Sequence, residues 1–162
     1  YTANFSHLGT GLGLAIGAQI AAGRDRPVCL LTGDAALGFH FMEFETAIRH
    51  NLPIVVIIND DQQFGAEMAE HMQHIGHQIE VSLSALRYDD IARAMGGHGE
   101  FVTNVEDVAP AVQRAFASGK PALVQVKTEQ SASHAHAPPY IDELVAWLME
   151  DPSSYQGRRK NE

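Results

Sequence analysis

The run Pro53-Ile54-Val55-Val56-Ile57-Ile58 limits the possible folds more than any other part of the chain. It is continuous, β-branched after its proline and free of polar residues. A strand formed there has no face to offer to water, so it belongs inside a sheet covered on both sides. The flanking segments agree. Phe41, Phe44, Ala47 and Ile48 recur at helical spacing within residues 41–50, and Asn51-Leu52-Pro53 stops that helix. Residues 27–31 form another short apolar run, closed by Gly33-Asp34. Downstream, residues 88–95 read as a helix ended by Gly96-Gly97, and 101–103 as a short strand. Asn104 is placed as an N-cap with Asp107 three residues on, opening a helix to about Ser118. Gly119-Lys120-Pro121 then turns the chain into a buried-type strand at 122–126. Strands alternating with helices predict an α/β fold: a doubly wound parallel sheet with helices on both faces and right-handed crossovers.

Length and charge narrow the class. The 162 residues suffice for one domain with its own core. Twenty acidic residues against eleven basic ones give a formal charge of −9. That excludes a nucleic-acid surface and an anionic membrane as partners, and Arg158-Arg159-Lys160 is too short a run to reverse it. Apolar runs fall well short of the roughly 18 residues of a membrane helix. Cys29 is the single cysteine, which excludes an internal disulfide and a cysteine zinc site and fits a cytoplasmic location. Residues 131–139 look like a linker, 141–149 like a short amphipathic helix, and the rest like a polar tail. The chain therefore divides into a domain at 1–130 and an appendage at 131–162. Trp147 is read as a packing residue of that helix, or as a lid. The chain opens on Tyr1 with no leader pattern, and a piece of a longer protein is one reading of that.

Two features carry chemistry. Gly9-Thr10-Gly11-Leu12-Gly13 lacks the preceding strand of a dinucleotide fingerprint, because residues 1–7 are too polar. These glycines are expected to allow close backbone packing at a helix start, which a ligand lying against that backbone would also use. The second feature is Asp34 at the end of one predicted strand and Asp60-Asp61 at the end of the next. Ligands of open α/β sheets bind at that edge. Two carboxylates about 5 Å apart repel by roughly 3 kcal/mol at an effective dielectric of 20, and a hard cation such as Mg²⁺, usually shared with substrate phosphates, removes that cost. Gly33-Asp34-Ala35-Ala36 places small residues where backbone N–H groups can reach a phosphate. Solvated loop-end aspartates are the plainer alternative.

The order of short motifs is also that of a family. Leu8-Gly9-Thr10-Gly11-Leu12, Ala15-Ile16-Gly17-Ala18, Thr32-Gly33-Asp34, Glu43, Asn51-Leu52-Pro53-Ile54 and Asn59-Asp60-Asp61 together resemble the thiamine-diphosphate-binding motif. That motif belongs to the diphosphate-binding (PP) domain of the acetolactate synthase, pyruvate decarboxylase and oxalyl-CoA decarboxylase type. Residues 33–53 look closest to the oxalyl-CoA decarboxylase and 2-hydroxyacyl-CoA lyase branch. The likeness runs over about residues 5–130. It implies a PP domain without its first strand, holding thiamine diphosphate and Mg²⁺.

Residue by residue, the resemblance makes Asp34 and, 27 positions on, Asp61 ligands of Mg²⁺, with the Gln63 carbonyl as third. Gly33, Ala35 and Ala36 would face the diphosphate, and Gly9, Phe64 and Gly65 would also lie against the cofactor. Leu8 matches the apolar residue that props the cofactor in its bent shape. Glu67, six residues after Asp61, matches a glutamate that relays protons in pyruvate and indolepyruvate decarboxylases, and burial in a dry pocket is expected to raise its pKa. His71, one helical turn later, would pair with it. The chain departs from the family at Ala35, usually Gly, and at Asp60-Asp61, usually Asn-Asn. His71, His74 and His77 recur every three residues but lack the carboxylate–His pattern of a zinc peptidase, so no zinc site is expected. His40 is read as a helix-start residue near the cofactor loop.

The resemblance further implies a partner, a pyrimidine-binding domain or subunit, with a homodimer or homotetramer in the full enzyme. The substrate would be a small 2-oxo acid or an acyl-CoA, and the reaction would cleave or form a carbon–carbon bond next to a carbonyl. The chain alone is expected to be inactive. Two other readings stand beside this one: a non-catalytic assembly domain of the same fold, and a Mg²⁺-dependent phosphate-ester enzyme.

Overall fold

Four parallel strands lie in the order β1-β2-β4-β3 in the computed structural model, which describes residues 7–130. The strands are β1 (Cys29–Gly33), β2 (Val55–Asp60), β3 (His98–Val102) and β4 (Ala122–Lys127). The helices are α1 (Thr10–Ala22), α2 (Asp34–Gly38), α3 (Glu43–Arg49), α4 (Gly65–His74), α5 (Tyr88–Ala94) and α6 (Val105–Ala117). The helix expected at 141–149, with Trp147, lies outside the described residues.

The strand order decides where the helices go. Steps from β1 to β2 and from β2 to β3 move in one direction across the sheet, and the step from β3 to β4 moves back. With right-handed crossovers, reversing direction puts the connecting helix on the opposite face. The packing follows. Phe44 and Ala47 of α3 and Tyr88 and Ala92 of α5 join Leu12 and Ile16 of α1 over Val56, Ile58 and Leu123. Ala111 and Ala115 of α6 cover Val55, Ala122 and Val124 on the other side. The β2 run is buried on both faces, as its composition requires. β1 differs: on the face away from α1, Cys29 is exposed and Leu31 is 74% exposed.

Two local details depart from the sequence reading. β3 begins at His98 rather than near Phe101. Its polar start conceals it, because Glu100 is satisfied by Arg114 of α6 at 2.9 Å and by His98 at 2.8 Å. Asn104 does occupy the N-cap of α6, but its side chain donates to the Asp107 carboxylate at 3.1 Å instead of capping a backbone N–H.

α5 sits unusually close to β3. A Cβ on Gly99 would stand 2.2 Å from the Asp89 carbonyl oxygen. Asp89 is fully buried there, held by Arg87 at 2.8 Å and by Arg93. Burial pushes its carboxyl up, but the hydrogen bonds from Arg87 and Arg93 outweigh it and hold the pKa below the ordinary range. Gly99→Ala should therefore destabilise the protein by about 1–3 kcal/mol through overpacking. Gly13→Ala, in α1 with nothing within 4 Å of the added methyl, should be neutral or add up to about 1 kcal/mol. Urea unfolding of the two variants checks the contrast, and equal effects would refute it.

Candidate functional site

Strand register builds the site. Gly33 stands opposite Asn59, so Asp34 and Asp60 leave adjacent strand ends side by side. Asp34 and Asp60 are each 2% exposed, Asp61 6% and Gln63 4%. Buried carboxylates need donors. Asp34 Oδ1 accepts the Ala35 N–H at 2.8 Å and Oδ2 accepts the Gln62 N–H at 2.8 Å. The second bond joins the end of β1 to the loop after β2. Gln62 reaches it in a left-handed conformation, φ 61°, at a cost of about 1 kcal/mol for a residue with a Cβ. The turn is clamped from behind. The Gln62 carbonyl accepts the Leu83 N–H, Phe64 N–H donates to the Val81 carbonyl, and Gln63 bridges antiparallel to Ser82. In that pairing the N–H and C=O of Gln63 point away from residue 82. Its side-chain amide holds Asp61 Oδ2 at 3.1 Å and the Gln130 carbonyl at 3.2 Å.

Among the described residues no ion pair balances the charges in this corner, since none involves Asp34, Asp60 or Asp61, and Lys127 Nζ reaches only the backbone carbonyl of Asp60, at 3.4 Å. Burial pushes the pKa of Asp34 up to about 6; the Ala35 and Gln62 N–H groups oppose the rise, and the charges of Asp61 and Asp60 add to it. Burial and the same negative charges, from Asp34 and Asp60, raise the Tyr88 phenol. Hard carboxylate oxygens in a site short of positive charge are the donor set that a small divalent cation takes. Among the described residues no three His, Cys, Asp or Glu side chains converge to hold a metal alone. A cation here needs a carbonyl, phosphate oxygens or water to complete its shell.

The other expected residues fall into two groups. Leu8, Gly9, Ala36 and Glu67 line one cleft of about 690 Å³, between the start of α1, β1 and α4. Gly9 caps α1 at φ 87°, and a Cβ there would meet His40 Nδ1 at 2.3 Å. The close-packing reading of that glycine holds; His40 sits beside it, in the turn between α2 and α3 and not, as expected, at a helix start. Ala35 and Phe64 line a second, apolar cavity of about 490 Å³ with Phe39 and Tyr88. The Ala35 N–H is committed to Asp34, and Phe64 packs edge-on against Phe39 with ring centroids 6.2 Å apart. Gly33 caps α2 and Gly65 opens α4.

Glu67 lies in the first turn of α4 but is exposed, not buried as expected, because only Met68 of that helix is buried. His71 does not turn to Glu67; its Nδ1 accepts the Ile79 N–H at 3.4 Å. His77 Nδ1 lies 3.0 Å from the Ile75 carbonyl, so the three spaced histidines do not converge. Two contributors were missed in the sequence. Gln62 gave no signal, since its role is a backbone one. Gln125 did: it is the lone polar residue between Val124 and Val126 in a buried strand.

The raised Asp34 pKa has a measurable sign. A carboxyl that titrates higher folded than unfolded gives stability that is full below its ordinary value near 3.8 and is lost as pH rises through about 6. Without ligands, the wild-type protein should lose about 1–3 kcal/mol between pH 4 and pH 7 relative to Asp34→Ala. Urea unfolding across that range measures it, and parallel pH profiles would remove the buried-charge argument.

Comparisons with known proteins agree with this fold. A family model described as "Thiamine pyrophosphate enzyme, C-terminal TPP binding domain" matches residues 1–126. The acetolactate synthase large subunit IlvG of Mycobacterium tuberculosis is 41% identical over 131 residues, 80% of this chain and 24% of that protein. Oxalyl-CoA decarboxylase of Escherichia coli K12 is 32% identical over 126 residues, 77% of this chain and 22% of that protein. Among solved structures, the thiamine diphosphate-dependent 4-hydroxybenzoylformate decarboxylase of Rhodococcus jostii RHA1 superposes with a TM-score of 0.69 at 29% identity, covering 75% of this chain and 23% of that one. The chain thus spans about a quarter of the length of these relatives. No helix among the described residues is long and apolar enough to cross a membrane. The chain belongs to the thiamine pyrophosphate enzyme family, as its C-terminal TPP-binding domain.

Proposed function

We propose that this chain supplies the diphosphate- and Mg²⁺-binding half of the active site of an enzyme that cleaves or forms a carbon–carbon bond next to a carbonyl. The observation that carries the proposal is the buried acidic corner: Asp34 tied to the Gln62 backbone, with Asp61 held by Gln63 and neither in an ion pair among the described residues. Asp34, Asp61 and the Gln63 carbonyl would hold Mg²⁺, and the metal would carry the diphosphate. Leu8, Gly9 and Ala36 would line the cofactor's path in the main cleft. When bound, thiamine diphosphate supplies a carbanion that adds to a substrate carbonyl and then accepts its electrons.

The chain's own residues orient and protonate. The clamped 62–64 turn would fix the carbonyl proposed to face the metal before any ligand arrives, which lowers the ordering cost of binding. Glu67 lines the cleft wall and is proposed to hold a proton for the reacting carbon. His71 is further back and is proposed only to assist it. A pyrimidine-binding domain, in the rest of a longer chain or in a partner subunit, would cover the exposed side of the cleft; a homodimer or homotetramer would bring it there. The substrate classes that fit are a small 2-oxo acid, as for a decarboxylase or an acetolactate-type carboligase, and a 2-hydroxyacyl-CoA or oxalyl-CoA thioester. A cytoplasmic setting suits each.

Thermal unfolding of the full-length protein with Mg²⁺ and thiamine diphosphate, separately and together, tests the site. At 100 times the dissociation constant a ligand adds about 2.7 kcal/mol. The large shift should need both ligands and should vanish in Asp34→Ala and in Asp61→Ala. A non-catalytic assembly domain would show no shift in the wild type, and a phosphate-ester enzyme would release phosphate with Mg²⁺ alone. Glu67→Gln should keep the shift and slow turnover by about 10²-fold or more. Unchanged turnover would take Glu67 out of the mechanism.

A further inference from the structure

We infer that Gln125 is a positioning residue for the metal site, acting through Asp60. The inference rests on the Asp34–Asp61 reading above and adds a residue to it.

Gln125 is fully buried in the middle of β4. A buried amide is costly unless its donors and acceptor are matched, and here each is engaged. Nε2 donates to Asp60 Oδ2 at 2.7 Å and to the Leu86 carbonyl at 2.7 Å. Oε1 receives the Asp89 N–H at a longer 3.4 Å. Geometry requires this reach. Gln125 is in register with Ile58, and Asp60 lies two residues beyond Ile58, so all three share one face of the sheet. That is the face on which α5 packs, and Leu86 leads into α5. One side chain therefore ties together the end of β2, the chain entering α5 and the start of α5.

The consequence for the site comes from alternation. A side chain at the end of a strand points opposite to its successor. Holding the Asp60 carboxylate down on the α5 face sends Asp61 the other way, where Gln63 receives it. The partner's neutrality also matters. A Lys or Arg at position 125 would bind Asp60 well but would cancel the negative field that favours a dication. The amide satisfies the carboxylate and leaves its charge in place. This assigns a role to Asp60, one of the two adjacent positions where the chain carries a carboxylate in place of the family's usual amide. It is a buried anchor and not a second metal ligand.

The test is a double-mutant cycle on the full-length protein, read as the apparent Kd for Mg²⁺ at saturating thiamine diphosphate, with Mg²⁺ titrated by thermal shift. Gln125→Met keeps the length and removes the donors. It should weaken Mg²⁺ by about tenfold or more, the scale of a lost ligand-orienting hydrogen bond. Asp60→Asn retains an oxygen for Gln125 to bind and loses only the charge, so it should weaken Mg²⁺ less than Asp60→Ala does. In an Asp60→Ala background, Gln125→Met should cost little further, because the carboxylate through which it acts is gone. A residue that merely braced the fold would cost the same in both backgrounds, and that additivity would overturn the inference. An unchanged Kd in Gln125→Met would overturn it too. If Gln125→Met does not fold, judged by its far-ultraviolet circular dichroism, Gln125→Asn takes its place in the cycle, since the shorter amide cannot span Asp60 and Leu86 together. A wild-type protein without any Mg²⁺-dependent shift would sink the site reading and this inference with it. A normal wild-type titration with an additive cycle would sink the inference alone.

Discussion

The site depends on one interaction, the hydrogen bond from the Gln62 N–H to Asp34 Oδ2. It spans 28 residues and joins two strand ends that the sheet has already placed side by side. Without it Asp34 would be a buried carboxylate with only the Ala35 N–H as donor, beside two more acids. With it, the Gln62 backbone adopts a left-handed turn, and that turn aims the next residue's carbonyl away from Ser82. One contact thus ties the loop conformation after β2 to the strand end that the sheet register has placed beside it. The contact opposes the burial that raises Asp34, yet the carboxyl still titrates near 6. The acidic corner is held together at the expense of stability, and a bound cation would relieve it.

The position of this corner follows from topology. Right-handed crossovers and a single reversal of direction, at β3 to β4, put α3 and α5 on one face, where α1 and α2 join them, and α6 on the other. β2 and β4 become the central strands, buried on both sides. The carboxyl end of β2 is then the place where residues can be buried and still reach a ligand at the sheet edge. Asp60 and Gln125 exploit this: both are polar, both are buried, and each answers the other.

Much of this was legible in the sequence because it rests on local rules. The β-branched run gave β2, the stop at Asn51-Leu52-Pro53 ended α3, and the spacing of Asp34 to Asp61 put the acids at one edge. The departures share a physical cause, which is partnering across long sequence distances. β3 was hidden by Glu100, whose polarity is neutralised by Arg114 fourteen residues away. The role of Gln62 is carried by its backbone, so its side chain carries no trace of it. Glu67 was expected to be buried by analogy with a closed pocket, but α4 buries only Met68 against the described residues. Gln125 was readable in principle, as a single amide in a strand of Ala, Leu and Val, though its partner at position 60 was not.

The burial pattern divides the site into two parts. Asp34, Asp61 and Gln63 are 2%, 6% and 4% exposed, so the groups proposed for the metal are enclosed by this chain alone. Leu8 and Glu67, the residues proposed to shape the cofactor and to move protons, are exposed on the cleft wall, and Leu8 is 38% exposed. An exposed glutamate is in contact with water, and water screens the electrostatics that tune a proton relay. On the proposed reading, the diphosphate end would be preorganised within this chain and the reactive end would need a second surface to exclude water. Binding and turnover should then separate. The charge balance of the acidic corner belongs to residues 34–63 and 125, and the proton chemistry belongs to whatever closes over Glu67. A partner that only added binding contacts would tighten the cofactor. One that also buried Glu67 would exclude water from it. The second kind is what the geometry of the cleft calls for.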